Sequence, residues 1–406
     1  MKAIVIGGGI AGPATAMALQ QVGVDVTILE RRSDDGRATG SYFSIAPNGL
    51  SALDAIGALD LARPLGAPAH DSLMYGATGR LLGRVTLGTP LADGTPSLAM
   101  RRGDLTGALM DEAARRGILV RYAARVTSVR TSPERAVVTL EDGTELDADL
   151  VVAADGIHSV ARRTLDAGAP APRYVGLTNF GGITRNSPIA DRLAPEAWTF
   201  VFGRRAFFGA FPEPNGDVVW FVNVPRPEIS REERASTTDA QWKEWLTSLL
   251  AGDRSEAAAL VAAGELQLAG DNTYDLGHVP VWHDDRLVLV WDAAHAPSPS
   301  SGQGASMALE DAVALATALR DAPSVPEALS SYEAARRARV EKIVAVGARS
   351  SSSKIPGRVG RIVQEAVMRL VFRFVTTDDR QQWMTGHRTE PLTAQAASGR
   401  SADARQ

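Results

Sequence analysis

Residues 2–30 read KAIVIGGGIAGPATAMALQQVGVDVTILE, and this stretch decides the fold of the first part of the chain. The apolar run KAIVI predicts a strand, the glycines predict a tight turn, and the small residues that follow, to about Gln21, predict a helix. DVTILE then predicts a second strand. Strand, helix and strand in this order form a βαβ unit, which implies a parallel sheet. We therefore expect an α/β fold.

The glycines of this stretch have the spacing of a nucleotide clamp. Gly7, Gly9 and Gly12 form GxGxxG directly after the first strand, so that a tight turn, a close approach to a pyrophosphate and close helix–strand packing are all provided. Glu30 closes the second strand, where its carboxylate can accept hydrogen bonds from a ribose. The pattern predicts a Rossmann-like dinucleotide site. The two arginines that follow would suit the extra phosphate of NADP, but Glu30 would repel it, so FAD or NAD is favoured.

The composition excludes several kinds of protein. The 406 residues contain no cysteine, which rules out disulfides, thiolate metal sites and thiol redox centres. The formal net charge is −4, with mixed signs along the chain and no polybasic arm, so we expect no nucleic-acid partner. No apolar run reaches the ~20 residues of a membrane span, and the first strand begins without signal-peptide features. We therefore expect a cytoplasmic protein with no membrane partner.

A different pattern occupies residues 174–224. There aromatic and β-branched residues alternate with polar ones, which predicts an inserted, mainly antiparallel sheet. RLVLVW at 286–291 predicts a further core strand, so the first domain is expected to be discontinuous. A basic amphipathic stretch at 358–375 predicts a helix packed on the body of the protein, and the composition after Thr385 predicts a loose tail. Four more helices are predicted, at 47–56, 104–116, 305–319 and 325–349.

Two further motifs follow predicted buried strands. DGIHSVAR occupies 155–162, and DAAHAPSPSSGQGASMALEDA occupies 292–312. Together with GxGxxG, they resemble the three fingerprints of class A flavoprotein monooxygenases, the para-hydroxybenzoate hydroxylase-like family. GSYFSIAPNGL at 40–50 resembles the family's segment beside the flavin ring, and RGDL at 102–105 resembles the start of one of its helices. The matches occur in the expected order and cover roughly three quarters of the chain.

The resemblance implies a domain organisation and a reaction. NADH or NADPH would reduce the flavin, and O₂ would then form a C4a-hydroperoxide that hydroxylates a small aromatic substrate. The implied fold is a Rossmann-like FAD-binding domain with an inserted, mainly antiparallel β-sheet substrate domain and C-terminal helices. The implied parts are the FAD-binding domain (1–75, 99–172 and 280–350), the substrate domain (76–98 and 173–279), a C-terminal helix (351–385) and a flexible tail (386–406).

The resemblance also assigns residues to the cofactor. Asp292, at a strand end, would accept hydrogen bonds from ribityl hydroxyls, and Arg162 would supply charge to a pyrophosphate. The helix that begins near Gly304 would direct its N-terminal dipole at the flavin. The full implied set is Gly7, Gly9, Ala11, Gly12, Glu30, Arg31, Ser44, Arg102, Val126, Asp155, Arg162, Asp292, Gly302, Gln303, Gly304 and Ala305.

One position departs from the family's pattern. The family usually has glycine before the aspartate of the third motif, whereas this sequence has Trp291. An indole adds bulk where the strand end approaches the flavin. Two interpretations stay open: the side chain points into the core, or it reshapes the cofactor pocket.

Aromatic side chains crowd the predicted inserted sheet. A cleft lined by them would suit a planar substrate and exclude water, but alternation allows only about half of them to face it. The aromatic residues are Phe180, Phe200, Phe202, Phe208, Phe211, Trp220 and Phe221. The candidate substrate contacts are Asn179, Phe202, Arg204, Trp220 and Pro299.

No catalytic side chain and no metal centre is indicated by the spacing of titratable residues. His158 and His295 have no evident carboxylate partner, so structural roles are expected for both, and Glu310 with Asp311 is expected to be a solvated or capping pair. Two other functions stay open. One is a related enzyme acting on a polycyclic or antibiotic-like substrate, and the other is a flavin-binding protein without oxygenase activity. The sequence leaves the oligomeric state open.

Overall fold

The computed structural model describes residues 1–37, 41–298, 301–352 and 382–392. Its first layer is a parallel sheet of five strands whose central members are apolar and buried, as expected for a sheet covered on both faces. In order across the sheet, the strands are β18 (Leu287–Leu289), β12 (Leu150–Ala153), β1 (Lys2–Ile6), β2 (Asp25–Leu29) and β8 (Leu119–Arg121). Helix α1 (Ala11–Gln21) joins β1 to β2, so the predicted βαβ unit is confirmed.

Further helices pack around this sheet and on the second layer. The two longest, α9 (Gly304–Asp321) and α10 (Val325–Ser352), pack against each other, and α9 also contacts α1 and α2 (Pro47–Ala55). The bounds are α2 (Pro47–Ala55), α3 (Leu59–Ala62), α4 (Arg102–Arg115), α5 (Val160–Leu165), α6 (Arg231–Ser236), α7 (Asp239–Leu250), α8 (Ala257–Ala263), α9 (Gly304–Asp321) and α10 (Val325–Ser352). Short 3₁₀ turns occupy Arg63–Leu65, Ala190–Arg192 and Trp291–Ala293.

The second layer is a sheet of seven strands. All neighbouring strands are antiparallel except β5 and β14, so the predicted antiparallel insertion is confirmed. Helices α7 and α8 cover one face of this sheet and form a hydrophobic cluster with it. In order across the sheet, the strands are β17 (Glu265–Asp275), β13 (Arg173–Thr184), β16 (Val218–Pro225), β15 (Phe207–Pro212), β14 (Ala197–Phe202), β5 (Asp71–Gly76) and β6 (Leu81–Thr86).

Two three-stranded sheets complete the fold. The first contacts the face of the seven-stranded sheet that α7 and α8 leave uncovered, and it therefore links the two layers. Its strands are β3 (Tyr42–Ile45), β7 (Ser97–Arg101) and β4 (Ala67–Ala69). The second consists of β11 (Glu145–Ala148), β10 (Ala136–Leu140) and β9 (Val126–Thr131).

The structure alters two of the sequence-based boundaries. The strand predicted at 286–291 ends at Leu289, because Trp291 turns into a left-handed conformation. Strand β5 lies in the seven-stranded sheet, so residues 71–75 join the layer that was expected to begin at residue 76. Apart from these points the division into domains stays a prediction.

The C-terminal predictions fall largely outside the described residues. Residues 353–381 and 393–406 are not described, whereas 382–385 form a helical turn. The segment 386–392, expected to be part of a loose tail, instead packs on the body of the protein. The Thr389 N–H donates to Ser51 Oγ at 3.0 Å, and Leu392 is buried. Within the described ranges, no helix combines the length and the apolar character needed to cross a membrane.

Candidate cofactor and substrate site

The turn between β1 and α1 admits only glycine at two positions. A Cβ on Gly7 would lie 2.4 Å from the Ala154 carbonyl oxygen, and one on Gly12 would lie 1.8 Å from the Gly7 carbonyl oxygen. In the described structure, a Cβ on Gly9 would meet only the ring of Trp291, at 3.6 Å. The turn is therefore closely packed at Gly7 and Gly12, whereas there is space at Gly9, where a pyrophosphate is expected to approach. Ala11 begins α1 and is buried.

Glu30 is buried and holds the glycine turn. Its Oε2 accepts the N–H of Gly8 at 2.5 Å, and its Oε1 accepts the N–H of Arg32 at 2.9 Å. Each carboxylate oxygen has a second lone pair, so Glu30 retains the capacity to accept a ribose hydroxyl. Val126 lies close by at the start of β9, because the N–H of Ala124 donates to the Glu30 carbonyl at 2.9 Å.

The two charged side chains of the second motif form hydrogen bonds with the backbone of neighbouring segments. Asp155 Oδ2 accepts the N–H of Val160 at 2.8 Å and so caps α5, while Asp155 Oδ1 is buried without a partner among the described residues. Arg162 is only 2% exposed and donates to the carbonyls of Ala293 at 2.9 Å and Ile157 at 2.6 Å. The predicted contact of Arg162 with a pyrophosphate stays a prediction. In the structure, the guanidinium joins the second motif to the third.

The third motif brings a carboxyl group to the edge of the parallel sheet. Asp292 follows β18 and keeps limited solvent access. Burial raises its pKa to about 6, although the charges of Arg102 and His295 act in the opposite direction. The Arg102 guanidinium carbon lies 5.4 Å from the ring centroid of Trp291, the residue before Asp292, so the RGDL motif and the third motif meet here.

Trp291 resolves the two interpretations that the sequence left open. Its φ is +53°, in the left-handed region that costs a residue with a Cβ roughly 1–2 kcal/mol. Its N–H donates to Asp311 Oδ2 at 2.9 Å, and its side chain is buried. The ring approaches Gly9, and the Arg102 guanidinium carbon lies 5.4 Å from the ring centroid. The indole therefore belongs to the core and also lies against the turn at Gly9, where the cofactor is expected.

Helix α9 starts with open space in front of it. In the described part of the chain, nothing lies within 4 Å of a Cβ placed on Gly302 or Gly304. Gln303 is buried, and its Oε1 accepts the Asn48 Nδ2–H at 3.0 Å, which fixes this end against α2. Ala305 follows in the first turn. The positive end of the α9 dipole therefore faces accessible space, as the predicted flavin contact requires.

The structure contains a buried charge cluster that the sequence did not reveal. Asp311 is hydrogen-bonded to His295 Nε2 at 2.7 Å and to Arg336 Nε at 2.7 Å, and Glu310 pairs with Arg336 at 2.6 Å and with Arg339 at 2.8 Å. Burial opposes ionisation of both carboxyls, but the neighbouring positive charges outweigh it and hold each pKa at about 2. The prediction of a solvated or capping pair is wrong, because α10 brings both arginines onto α9. His295, expected to be structural, is part of this cluster.

One face of the seven-stranded sheet carries a continuous group of aromatic rings. Neighbouring rings have centroids 5.0–6.0 Å apart, and strand pairing puts all of them on the face that α7 and α8 do not cover. The Trp198 Nε1–H donates to Ser44 Oγ at 2.8 Å, so this surface meets the segment assigned to the flavin. We call it the aromatic face, and it comprises Trp198, Phe200, Phe202, Phe207, Phe211 and Phe221.

A polar row continues the aromatic face toward β17. Asp271, Asn179 and Asn223 lie opposite one another across three neighbouring strands, and Asn223 donates a hydrogen bond to Asn179. Asp271 remains open to solvent, yet enough protein surrounds it for burial to raise its pKa, against the charges of Arg234 and Arg102. A group that is accessible but partly desolvated is expected in a cleft.

The predicted substrate contacts separate between the two faces. Asn179 and Phe202 lie with the aromatic face. Trp220 lies on the opposite face within the helix-covered cluster, where its Nε1–H donates to Thr184 Oγ1 at 3.0 Å, so the structure does not bring it to the cleft. Of the seven aromatic residues named from the sequence, four lie on one face and three on the other, as alternation predicted.

The other predicted site residues have less informative positions. Arg204 lies in the turn between β14 and β15, with its N–H bonded to Asp253 Oδ1 at 3.0 Å. Arg31 is exposed beyond β2, and Pro299 lies outside the described residues. Among the described residues, no group of three or more His, Asp or Glu side chains is arranged to hold a metal ion.

The residues present fit FAD. Space at Gly9 suits a pyrophosphate, and the N-terminus of α9 opens toward a region where negative charge would be stabilised. Asp292 lies near both as a carboxylate acceptor, and Asp155 contributes a buried oxygen that lacks a partner in the described ranges. These groups would hold the nucleotide, the ribityl chain and the flavin.

Comparisons with known proteins agree with this arrangement. A family model described as FAD binding domain matches residues 1–346. An FAD-dependent urate hydroxylase of Klebsiella pneumoniae is 31% identical over 349 residues, covering 85% of this chain and 88% of the relative. The 3-amino-4-hydroxybenzoate 2-monooxygenase PtmB3 of Streptomyces platensis is 31% identical over 352 residues, covering 84% and 85%. The crystal structure of Klebsiella pneumoniae HpxO complexed with FAD and uric acid is 26% identical, with a TM-score of 0.79 and coverage of 91% and 93%.

Proposed function

Because the chain belongs to the FAD binding domain family and its relatives are FAD-dependent aromatic hydroxylases, we propose that it hydroxylates a small aromatic compound with NADH or NADPH and O₂. Relatives named for urate and for 3-amino-4-hydroxybenzoate support a substrate of one or two rings that carries N–H or O–H groups.

The observation that carries the proposal is the aromatic face with its polar row. Ring edges and faces provide apolar contact for a planar molecule, and the row of Asp271, Asn179 and Asn223 provides hydrogen-bond acceptors and donors at one end. A substrate bound there would be fixed in one orientation by its polar groups.

When bound, FAD supplies hydride acceptance and oxygen activation. The chain supplies position, charge and the exclusion of water. The turn at Gly9 and the carboxylate of Asp292 hold the cofactor, and the dipole of α9 stabilises negative charge at its N-terminus. The aromatic face keeps water from the reacting atoms. Asp271 is placed to accept a proton or a hydrogen bond from an acidic O–H or N–H of the substrate.

The experiment that tests the proposal measures NADH and NADPH oxidation by the FAD-loaded enzyme against a panel of hydroxybenzoates, aminohydroxybenzoates and N-heteroaromatic compounds. The true substrate is expected to accelerate oxidation at least tenfold and to give a product with one oxygen atom from ¹⁸O₂. Label arriving from water, or no acceleration with any class in the panel, would contradict the proposal.

A pair of variants tests the location of the substrate. Phe200→Ala removes a ring from the aromatic face and is expected to raise the KM about tenfold, whereas Phe208→Ala removes a ring from the covered face. The second change is expected to lower stability by ~3–5 kcal/mol without a comparable change in KM. If both variants changed KM equally, the aromatic face would not be the substrate surface.

A further inference from the structure

Trp291 is held in an unusual backbone conformation at the point where the cofactor motifs meet. Its φ of +53° lies in a region that residues with a Cβ rarely adopt. The hydrogen bond from its N–H to the buried Asp311, at 2.9 Å, fixes the backbone there. This conformation places the indole ring 3.6 Å from the Cβ position of Gly9. The ring is therefore set against the part of the turn that was left open for a pyrophosphate.

The indole Nε1–H has no hydrogen-bond partner among the described residues, although the side chain is only 6% exposed. A buried donor without a partner costs free energy, and most such groups in folded proteins are paired. The ring lies against the turn at Gly9, and Asp292 is the next residue along the chain; these are the contacts expected for the pyrophosphate and the ribityl chain. Both of those parts of FAD are rich in oxygen acceptors.

Arg102 gives the ring a second connection to the cofactor. Its guanidinium carbon lies 5.4 Å from the centroid of the Trp291 ring, within the range of a cation–π contact. Burial raises the pKa of Asp292, the next residue along the chain, and the charge of Arg102 opposes that rise. The ring is thus in contact with a positive charge close to the carboxyl group that is the expected acceptor for FAD.

We propose that Trp291 is a cofactor-binding residue of this chain, whose indole forms a wall between the glycine turn and Arg102 and whose Nε1–H donates a hydrogen bond to an oxygen of FAD. The proposal rests on the FAD site and does not depend on which substrate is hydroxylated. Its test therefore uses equilibrium binding of FAD, which is measured without turnover.

The central variant is Trp291→Phe, which keeps an aromatic ring and removes the N–H. Titration of the apoprotein with FAD is expected to give a dissociation constant about tenfold higher than that of the wild type, the effect of one hydrogen bond. The melting temperature of the apoprotein is expected to stay the same or to rise, because the variant removes a buried donor that has no partner among the described residues. A purely structural role would instead lower the melting temperature and leave the affinity unchanged.

Trp242→Phe is the matched control. Trp242 is buried, its Nε1–H also lacks a partner in the described ranges, and Arg226 lies 5.8 Å from its ring. It belongs to the helix-covered cluster, away from the cofactor motifs. The control is expected to bind FAD as the wild type does. Equal affinities for the wild type and both variants would overturn the proposal.

A second measurement uses the wild-type protein labelled with ¹⁵N-tryptophan. The sequence contains seven tryptophans, so seven indole N–H resonances are expected. FAD is expected to shift one of them most strongly downfield, and that resonance should be absent from the Trp291→Phe spectrum, or from Trp291→Tyr if the phenylalanine variant does not fold. A largest shift that belongs to any other tryptophan would overturn the proposal. Failure of wild-type apoprotein to bind FAD at all would instead contradict the proposed function.

Discussion

Replacing Asp311 by asparagine is expected to destabilise the apoprotein by about 3–5 kcal/mol, the usual cost of breaking a buried ion pair on one side. The carboxylate is fully buried and accepts hydrogen bonds from Trp291 N–H, His295 and Arg336 at 2.7–2.9 Å. The asparagine amide has one acceptor oxygen where aspartate has two, so its NH₂ group would point at one of these donors and make no hydrogen bond with it. The loss of one or two hydrogen bonds to a charged group, each contributing ~1.5–3 kcal/mol, gives ~1.5–6 kcal/mol, which includes that range.

Thermal unfolding of the apoprotein provides the assay. For a chain of 406 residues, the typical unfolding entropy makes 1 kcal/mol equivalent to about 1.2 °C, so the variant is expected to melt ~4–6 °C below the wild type. Glu145→Gln is the control, because Glu145 pairs with Arg130 at 2.7 Å on the surface, where both side chains are more than half exposed. An exposed pair contributes less than ~1 kcal/mol. If the two variants melted within 1 °C of each other, the buried cluster would not stabilise the fold as argued.

The same cluster makes a prediction for acid stability. The pKa of Asp311 and of Glu310 is lowered to about 2, below the unfolded values near 4. Their contribution to stability is therefore present above pH 4 and is lost as the pH falls toward 2. The wild type is expected to lose stability over this interval, and Asp311→Asn is expected to lose less. Parallel curves for the two proteins would show that Asp311 does not titrate in this range.

Two further predictions concern the cofactor site. Burial raises the pKa of Asp292 to about 6, and its carboxylate is the expected acceptor for FAD, so the affinity for FAD should fall about tenfold between pH 7 and pH 5. The Asp292→Asn variant should bind FAD weakly and with little pH dependence. A flat wild-type profile would exclude the carboxylate as the acceptor. Glu30→Ala should weaken FAD binding by roughly 10- to 150-fold, as measured by calorimetric titration. It should also lower the melting temperature of the apoprotein, because the Glu30 carboxylate accepts the N–H of Gly8. Unchanged affinity would limit Glu30 to its structural role.

Local pattern was sufficient for the βαβ unit and for the division of aromatic residues between two faces, whereas α7 and α8 were not predicted. The βαβ unit was predictable because its strands and helix are neighbours in sequence and each has its own period. Alternation predicted that about half of the aromatic residues face the cleft, but it could not give the phase. The sequence therefore predicted both Phe202 and Trp220 as substrate contacts, although only Phe202 lies on the aromatic face. Trp198 extends the same two-residue period and could have been included.

The buried charge cluster was not predictable, because its members are distant in sequence. Asp311 and Arg336 are 25 residues apart on different helices, and their pairing depends on how α9 packs against α10. An adjacent Glu–Asp pair on a helix is typical of a solvated surface, so the local pattern indicated the wrong environment. Only the packing shows that both acids face inward.

Three charged residues of the motifs each hold a neighbouring loop in this structure. Glu30 bonds the glycine turn, Asp155 caps α5, and Arg162 joins the second motif to the third, so each of these charged side chains first holds a neighbouring loop. Loops carry unpaired backbone groups, and a site built from three of them needs such ties to keep its shape before any ligand arrives. Residues that contact the cofactor directly are then expected among those with open space or an unpaired atom. Gly9 and Trp291 meet that condition, although the motif pattern includes only the glycine.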